Sequence, residues 1–316
     1  MRKARQQVRV VTIAAGILGL SVGCDTTMQG LNGNFELSYT NGGLFESVTQ
    51  PIGTGLIADA VVRRAGQTQA ANLDSASSDD ESVLVVESLG RGALHLIGRE
   101  VGYADLTVVA EDLVDSFAIE VAEVDYVVYN HPIRSDENEE YAIAAGSTVA
   151  IERTPQDAAR RSLTGYGLPA PSFLPLESAI FVKDEVIGYT SIRFTTAGSI
   201  TVAHGDGVGG VFNVVEPVNV NFQLERVDAL GELVPVDQFA MVKAYGRTEG
   251  GTYTLTDLTS ADPSVCAPES LLGSADTYVI HAYKTGVCVL FVAGNPEFES
   301  ISVTIAPASG GGNSSS

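Results

Sequence analysis

Beyond roughly its first thirty residues the chain is a succession of short runs in which apolar, mostly β-branched or aromatic residues alternate with polar ones. A period of two predicts strands with one face buried and the other in water. Such runs occupy 35–39, 57–62, 83–87, 125–129, 148–153, 180–183, 218–224, 239–245 and 253–256. No long stretch after residue 24 combines a helical period with capping residues. Three further places pair two alternating runs across a turn, the pattern of an antiparallel hairpin: 101–108 with 116–121, 197–202 with 211–215, and 285–292 with 300–305. Gly102, Gly198 and Gly286 stand at the start of these hairpins, spaced by 96 and 88 residues. A period near 90 is the length of a domain and too long for a solenoid repeat. About seven short strands per period predict a Greek-key sandwich.

The segment Thr259-Ser260-Ala261-Asp262-Pro263-Ser264-Val265, followed by Tyr278-Val279-Ile280-His281-Ala282-Tyr283-Lys284-Thr285-Gly286, resembles the bacterial immunoglobulin-like domains, in particular the group 2 type of intimin-like and invasin-like surface proteins. Ser77-Ser78-Asp79-Asp80-Glu81-Ser82-Val83 before Gly102 is a fainter form of the same motif, and Pro169-Ala170-Pro171-Ser172 takes its place in the middle unit. The resemblance implies an all-β chain of three tandem Ig-like sandwiches, at 34–123, 124–216 and 217–307, with short joints near Val124 and Pro217. It speaks to fold far more than to function. In the middle unit, 154–175 is longer than a strand connection needs and is the expected place of specialisation.

Ahead of the alternating region, 1–23 carries Arg2, Lys3, Arg5 and Arg9, then an apolar run from Val10 to Leu20, then small residues before Cys24. This is the layout of a secretory signal, and the run is too short to cross a bilayer, which takes about 20 apolar residues. Leu20-Ser21-Val22-Gly23-Cys24 resembles the lipobox of bacterial lipoproteins, which implies cleavage before Cys24 and acylation of its thiol and new amine. Several acyl chains make a stable anchor where one does not. Ser21 and Gly23 also suit an ordinary signal peptidase, which would leave a secreted chain. The lipoprotein reading implies a cell-envelope protein held to the inner or outer membrane, facing the periplasm or the cell exterior. Residues 24–33 are then expected to be a tether, and 308–316, rich in Gly, Ser and Asn, a disordered tail. With Cys24 given to lipid, Cys266 and Cys288 are left as a pair able to close a disulfide in an oxidising compartment.

Loss of the four positive charges of 1–23 takes the net charge from −21 to −25. Such a surface repels nucleic acid and anionic headgroups and favours solubility. The run Asp136-Glu137-Asn138-Glu139-Glu140 is the weak candidate calcium site, through Asp136, Glu137, Glu139 and Glu140, but it lacks the alternating ligands and central Gly of an EF-hand loop and reads more readily as a solvated loop. His204-Gly205-Asp206-Gly207-Val208-Gly209-Gly210 lacks the Lys-Ser/Thr of a phosphate loop and reads as a hairpin turn. His95 and His281 fall in alternating runs, as sheet-surface residues. The sequence has no H-E-x-x-H and no G-x-S-x-G, so no enzyme is expected and no cofactor beyond the weak calcium candidate. Tyr141, Tyr166, Tyr189 and Phe173 are candidates for an exposed aromatic patch, or equally for core. The expectation is a non-catalytic adhesion or binding stalk whose partner, besides the membrane, is an envelope or extracellular protein or glycan. Its rival is a periplasmic accessory lipoprotein that scaffolds an envelope complex.

Overall fold

The computed structural model describes residues 27–40, 50–130, 141–184, 188–205, 207–227, 233–271, 274, 276–293 and 297–307. Among them there is no α-helix, only one 3-10 turn at Pro217–Asn219. No helix of the described residues is long and apolar enough to cross a membrane.

The first sandwich contains β1 (Met28–Gln29), β2 (Phe35–Tyr39), β3 (Ile52–Gly53), β4 (Ile57–Arg64), β5 (Ser75–Ser78), β6 (Leu84–Gly90), β7 (Ala93–Gly98), β8 (Gly102–Ala110) and β9 (Leu113–Ala122). One sheet runs β1-β2-β4-β7-β6 and the other β3-β9-β8-β5. The second contains β10 (Tyr126–Asn130), β11 (Tyr141–Ala144), β12 (Thr148–Gln156), β13 (Ser172–Leu174), β14 (Ala179–Asp184), β15 (Tyr189–Phe194), β16 (Gly198–His204) and β17 (Gly207–Val215). Its sheets run β10-β12-β15-β14 and β13-β16-β17-β11. The third contains β18 (Val220–Arg226), β19 (Leu233–Pro235), β20 (Phe239–Thr248), β21 (Tyr253–Leu255), β22 (Leu258–Ser260), β23 (Cys266–Ser270), β24 (Thr277–Ala282), β25 (Gly286–Val292) and β26 (Ser300–Ala306).

The three sandwiches share one topology. In each, a short strand pairs in parallel with the last strand, as β3 with β9, β11 with β17 and β19 with β26, while the other pairings within a sandwich are antiparallel. This is the Ig-like Greek key, repeated three times. The alternation places Phe35, Leu37, Leu94, Leu106, Phe117 and Ile119 in the first core, Ile151, Phe194 and Val202 in the second, and Val242, Ile280 and Leu290 in the third.

The repeated acidic motif is a turn with two fixed contacts. Asp80 accepts from the Ser82 amide (2.9 Å) and hydroxyl (2.6 Å), and Asp262 from the Ser264 amide (3.0 Å) and hydroxyl (2.7 Å). These bonds hold both carboxyls below their ordinary range. The valine that follows then lies over the glycine opening the penultimate strand. A Cβ on Gly102 would come within 3.1 Å of Val83, and one on Gly286 within 3.4 Å of Val265. The motif and its distant glycine are thus two halves of one contact.

The expected tether differs from what the fold shows. Residues 28–34 are part of the first sandwich, because β1 pairs with β2 and Asp115 holds the turn that follows. Of the expected tether, 24–26 lie outside the described residues. The tail at 308–316 lies outside the described residues.

Candidate functional site

Of the residues singled out in the sequence, Cys24 and the acidic run with Asp136, Glu137, Glu139 and Glu140 lie outside the described residues. Among the described residues no group of three or more His, Cys, Asp or Glu side chains is placed to hold a metal ion. Cys266 and Cys288 are bonded, with Cα atoms 5.7 Å apart, and join β23 of one sheet to β25 of the other inside the third core. His95 and His281 sit on outer sheet faces, paired with Asp59 (2.6 Å) and Glu269 (3.0 Å).

The four aromatic candidates do not form a patch. Phe173 is core, Tyr141 meets Tyr253 edge-on at 6.3 Å, Tyr189 lies half-buried on β15, and Tyr166 lies against the first sandwich. The glycine string is a hairpin turn at His204–Gly207, as the sequence suggests, but Gly209 and Gly210 have another task. A Cβ on Gly209 would stand 2.4 Å from the Val127 carbonyl, so both glycines admit β10 against β17.

What the residues do bring together is the two joints. The long connection within 154–175 is a strap that adds backbone pairing to the first sandwich. Thr164 donates to Pro51 (2.9 Å) and accepts from Gly53 (3.1 Å), while Tyr166 and Ile57 exchange two bonds of 2.9 Å. The Tyr166 hydroxyl donates to Asp59 (3.1 Å), and Arg161 spans Glu120 (2.9 Å) and Asp157 (2.6 Å). Burial of the phenol, with the Asp59 charge beside it, raises the Tyr166 pKa. Leu163 and Thr164 are buried in the seam. Gly165 is required there, since its φ is +119° and a Cβ would stand 2.7 Å from Leu56.

The second joint is a shared sheet. β11 pairs in parallel with β17 on one side and with β21 of the third sandwich on the other, with Ile143 between Val214 and Leu255. β21 in turn pairs with the far end of β20, so nine strands form one sheet through two sandwiches. A separate apolar cluster of Ala144, Val220, Phe222 and Val292 fills the seam, with the Phe222 and Phe298 rings 5.6 Å apart. Gly246 makes room for it, because a Cβ would fall 2.2 Å from Val220. Tyr245 stacks on Tyr253 at 5.1 Å, and Asp276 takes hydrogen bonds from the Tyr253 hydroxyl and the Lys243 ammonium (3.1 Å). Asp257 crosses the same seam. Burial pushes its carboxyl up to about 6, against bonds from Leu258 and Thr148 and the nearby charge of Arg193.

Asp115, Arg161 and Asp257 escaped the sequence reading. Asp115 left a signal: it is in phase with Phe117, Ile119 and Val121 on β9, so alternation alone puts a carboxylate on a buried face. Arg161 and Asp257 left none for the joints, because the partners that make them bridge, Glu120 for Arg161 and Thr148 and Arg193 for Asp257, come from other sandwiches.

No protein-family model matches the chain, and no curated protein matches it. Among solved structures, it is similar to surface layer protein SbsC, domains 4–9, at 15% identity and a TM-score of 0.28, over 87% of this chain and 47% of that one. It therefore spans about half the length of that structure. It is also similar to FdeC, an adhesin of Escherichia coli, at 12% identity and a TM-score of 0.23, over 81% of this chain and 94% of that one. A third likeness is to invasin, a bacterial integrin-binding protein, at 10% identity and a TM-score of 0.22, over 86% of this chain and 60% of that one. Whole-chain superposition is poor at such scores, and the Ig-like assignment rests on the strand order and register of each sandwich.

Proposed function

We propose that this chain is a lipid-anchored protein of the bacterial cell envelope whose three Ig-like sandwiches form a stiff, non-catalytic stalk that presents a binding or adhesive surface away from the membrane. The observation that carries the stalk is the pair of joints. A chain meant to fold as beads on a string has no use for a strap with four interdomain backbone bonds or for a sheet shared by two sandwiches. Each such bond contributes about 0.5–1.5 kcal/mol net, so both joints resist bending on a scale well above thermal energy. The basic, apolar and small-residue layout of 1–24 supports export and acylation at Cys24, and a disulfide buried in the third core suits an oxidising compartment. The partner at the far end is a protein or glycan of the envelope or of the exterior.

Protease treatment of intact cells tests the placement. Digestion of the third sandwich on intact cells is the expected result for a surface stalk. Protection that ends only when the outer membrane is opened would instead make the protein a periplasmic scaffold.

A further inference from the structure

The N-terminal segment joins the first sandwich at one pole, and four connections meet there. Leu31 donates its amide to Ser116 (2.9 Å), which ties 30–34 to the β8–β9 hairpin. Glu111 of that hairpin donates its amide to Asp74 (2.9 Å) and pairs with Arg64, which brings in both ends of the β4–β5 connection. Val62 donates to Gly92 (2.8 Å), which adds the β6–β7 turn. This pole exposes Leu31 (86%), Leu89 (56%), Val114 (46%) and Leu113 (36%), in a position no neighbouring sandwich covers through any of the joints described above. Its charged side chains are Arg63, Arg64 and Arg91 against Glu36, Asp74, Glu111, Asp112 and the buried Asp115, a net of −2.

The length of chain ahead of it fixes what this pole can meet. Three residues separate Cys24 from Met28, and Asp115 prevents 30–35 from paying out as extra tether through bonds to the amides of Asn32 (2.7 Å), Asn34 (2.8 Å) and Phe35 (3.0 Å). From Cys24 to Met28 the chain reaches at most about 14 Å when fully extended. The polar layer of one leaflet is about 5–7 Å thick. Acyl chains on Cys24 therefore hold Met28, which lies opposite Leu37 two residues inside this end of the sheet, within about 10 Å of the headgroups, so the first sandwich cannot stand clear of the membrane.

We propose that this pole of the first sandwich, presenting Leu31, Leu89, Leu113 and Val114, is seated on the bilayer surface, so that the stalk starts on the membrane and not above it. Apolar side chains at such a surface enter the headgroup boundary, to a depth of about 5–10 Å for a fully buried amphipathic face. The proposal rests on the reading that Cys24 carries the lipid.

Its test uses the mature chain purified from membranes and reconstituted into vesicles of phosphatidylethanolamine and phosphatidylglycerol with headgroup spin-labelled lipid. Leu31→Cys, Val114→Cys and, as a remote control, Val218→Cys each carry an environment-sensitive fluorophore, all three sites being exposed. Quenching is expected to be at least about twofold stronger at positions 31 and 114 than at 218, as interfacial burial requires. The mass of the N-terminal peptide, measured on the same samples, reports acylation of Cys24. An acylated chain with equal quenching at all three positions overturns the seating and leaves the anchor standing. A chain without acyl groups overturns both.

Discussion

A carboxylate in phase with a buried strand face must find donors, and Asp115 finds them in the segment that precedes the sandwich. It accepts from the amides of Asn32, Asn34, Phe35 and Ser116. Burial works against its charge, but the four amides outweigh burial and hold the carboxyl below its ordinary range. Its contribution to stability is thus present above about pH 4 and is lost as pH falls through the lowered folded value. Asp115→Asn should cost about 1–3 kcal/mol and release β1, read as a lower denaturant midpoint with loss of amide protection at 28–35. Asp257 has the opposite sign. Its folded value of about 6 lies above the ordinary carboxylate value, so its contribution is complete below about pH 4 and is lost as pH rises through 6. The charged group faces Arg193 and the buried hydroxyl of Tyr278, whose own pKa is raised by burial and by Asp257. Chemical denaturation should find the seam between the second and third sandwiches stronger at pH 5 than at pH 8 by about 1–2 kcal/mol, and Asp257→Asn should flatten that difference.

At the scale of elements, alternation identified the long strands, and each of its nine runs overlaps a strand. The short ones, such as β3, β11 and β19, have two to four residues, too few for a period to register. Their parallel pairing with the last strand is fixed by tertiary packing. The same blindness explains the strap. From the sequence, 154–175 is only a long connection, because nothing in Thr164 or Tyr166 names Ile52 and Ile57 as partners more than a hundred residues away. Glycine gave a partial clue, since Gly165 and Gly246 interrupt otherwise ordinary runs where another chain segment approaches closely. Gly165→Ala meets both a positive φ and a crowded Leu56, and Gly246→Ala drives a methyl into Val220. Each should destabilise by about 1–3 kcal/mol, Gly165→Ala loosening the first joint and Gly246→Ala the second. Hydrogen exchange at Ile57 and at Ile143 separates the two effects. A Gly165→Ala chain whose Ile57 amide stays protected would contradict the role given to the strap.

For the molecule as a whole, two backbone-paired joints predict one narrow distribution of distances between spin labels on the first and third sandwiches, and a broad one once the strap is replaced by a short Gly/Ser linker. Reducing the Cys266–Cys288 bond, which closes a loop of 22 residues, should lower the stability of the third sandwich by about 3 kcal/mol and leave the first unchanged in a domain-resolved exchange experiment. The strap also sets an order in time. A chain that emerges from its N-terminal end presents Pro51, Gly53 and Ile57 long before Thr164 and Tyr166, which complete their pairing. Until then the first sandwich carries an open edge at β3 and the start of β4, the kind of edge that recruits other strands. Emergence from the N-terminal end thus leaves a window in which that edge is unpaired. A chain stalled after residue 153 should accordingly be bound by holding chaperones more strongly than one stalled after residue 216, as co-purification from a translation reaction would show.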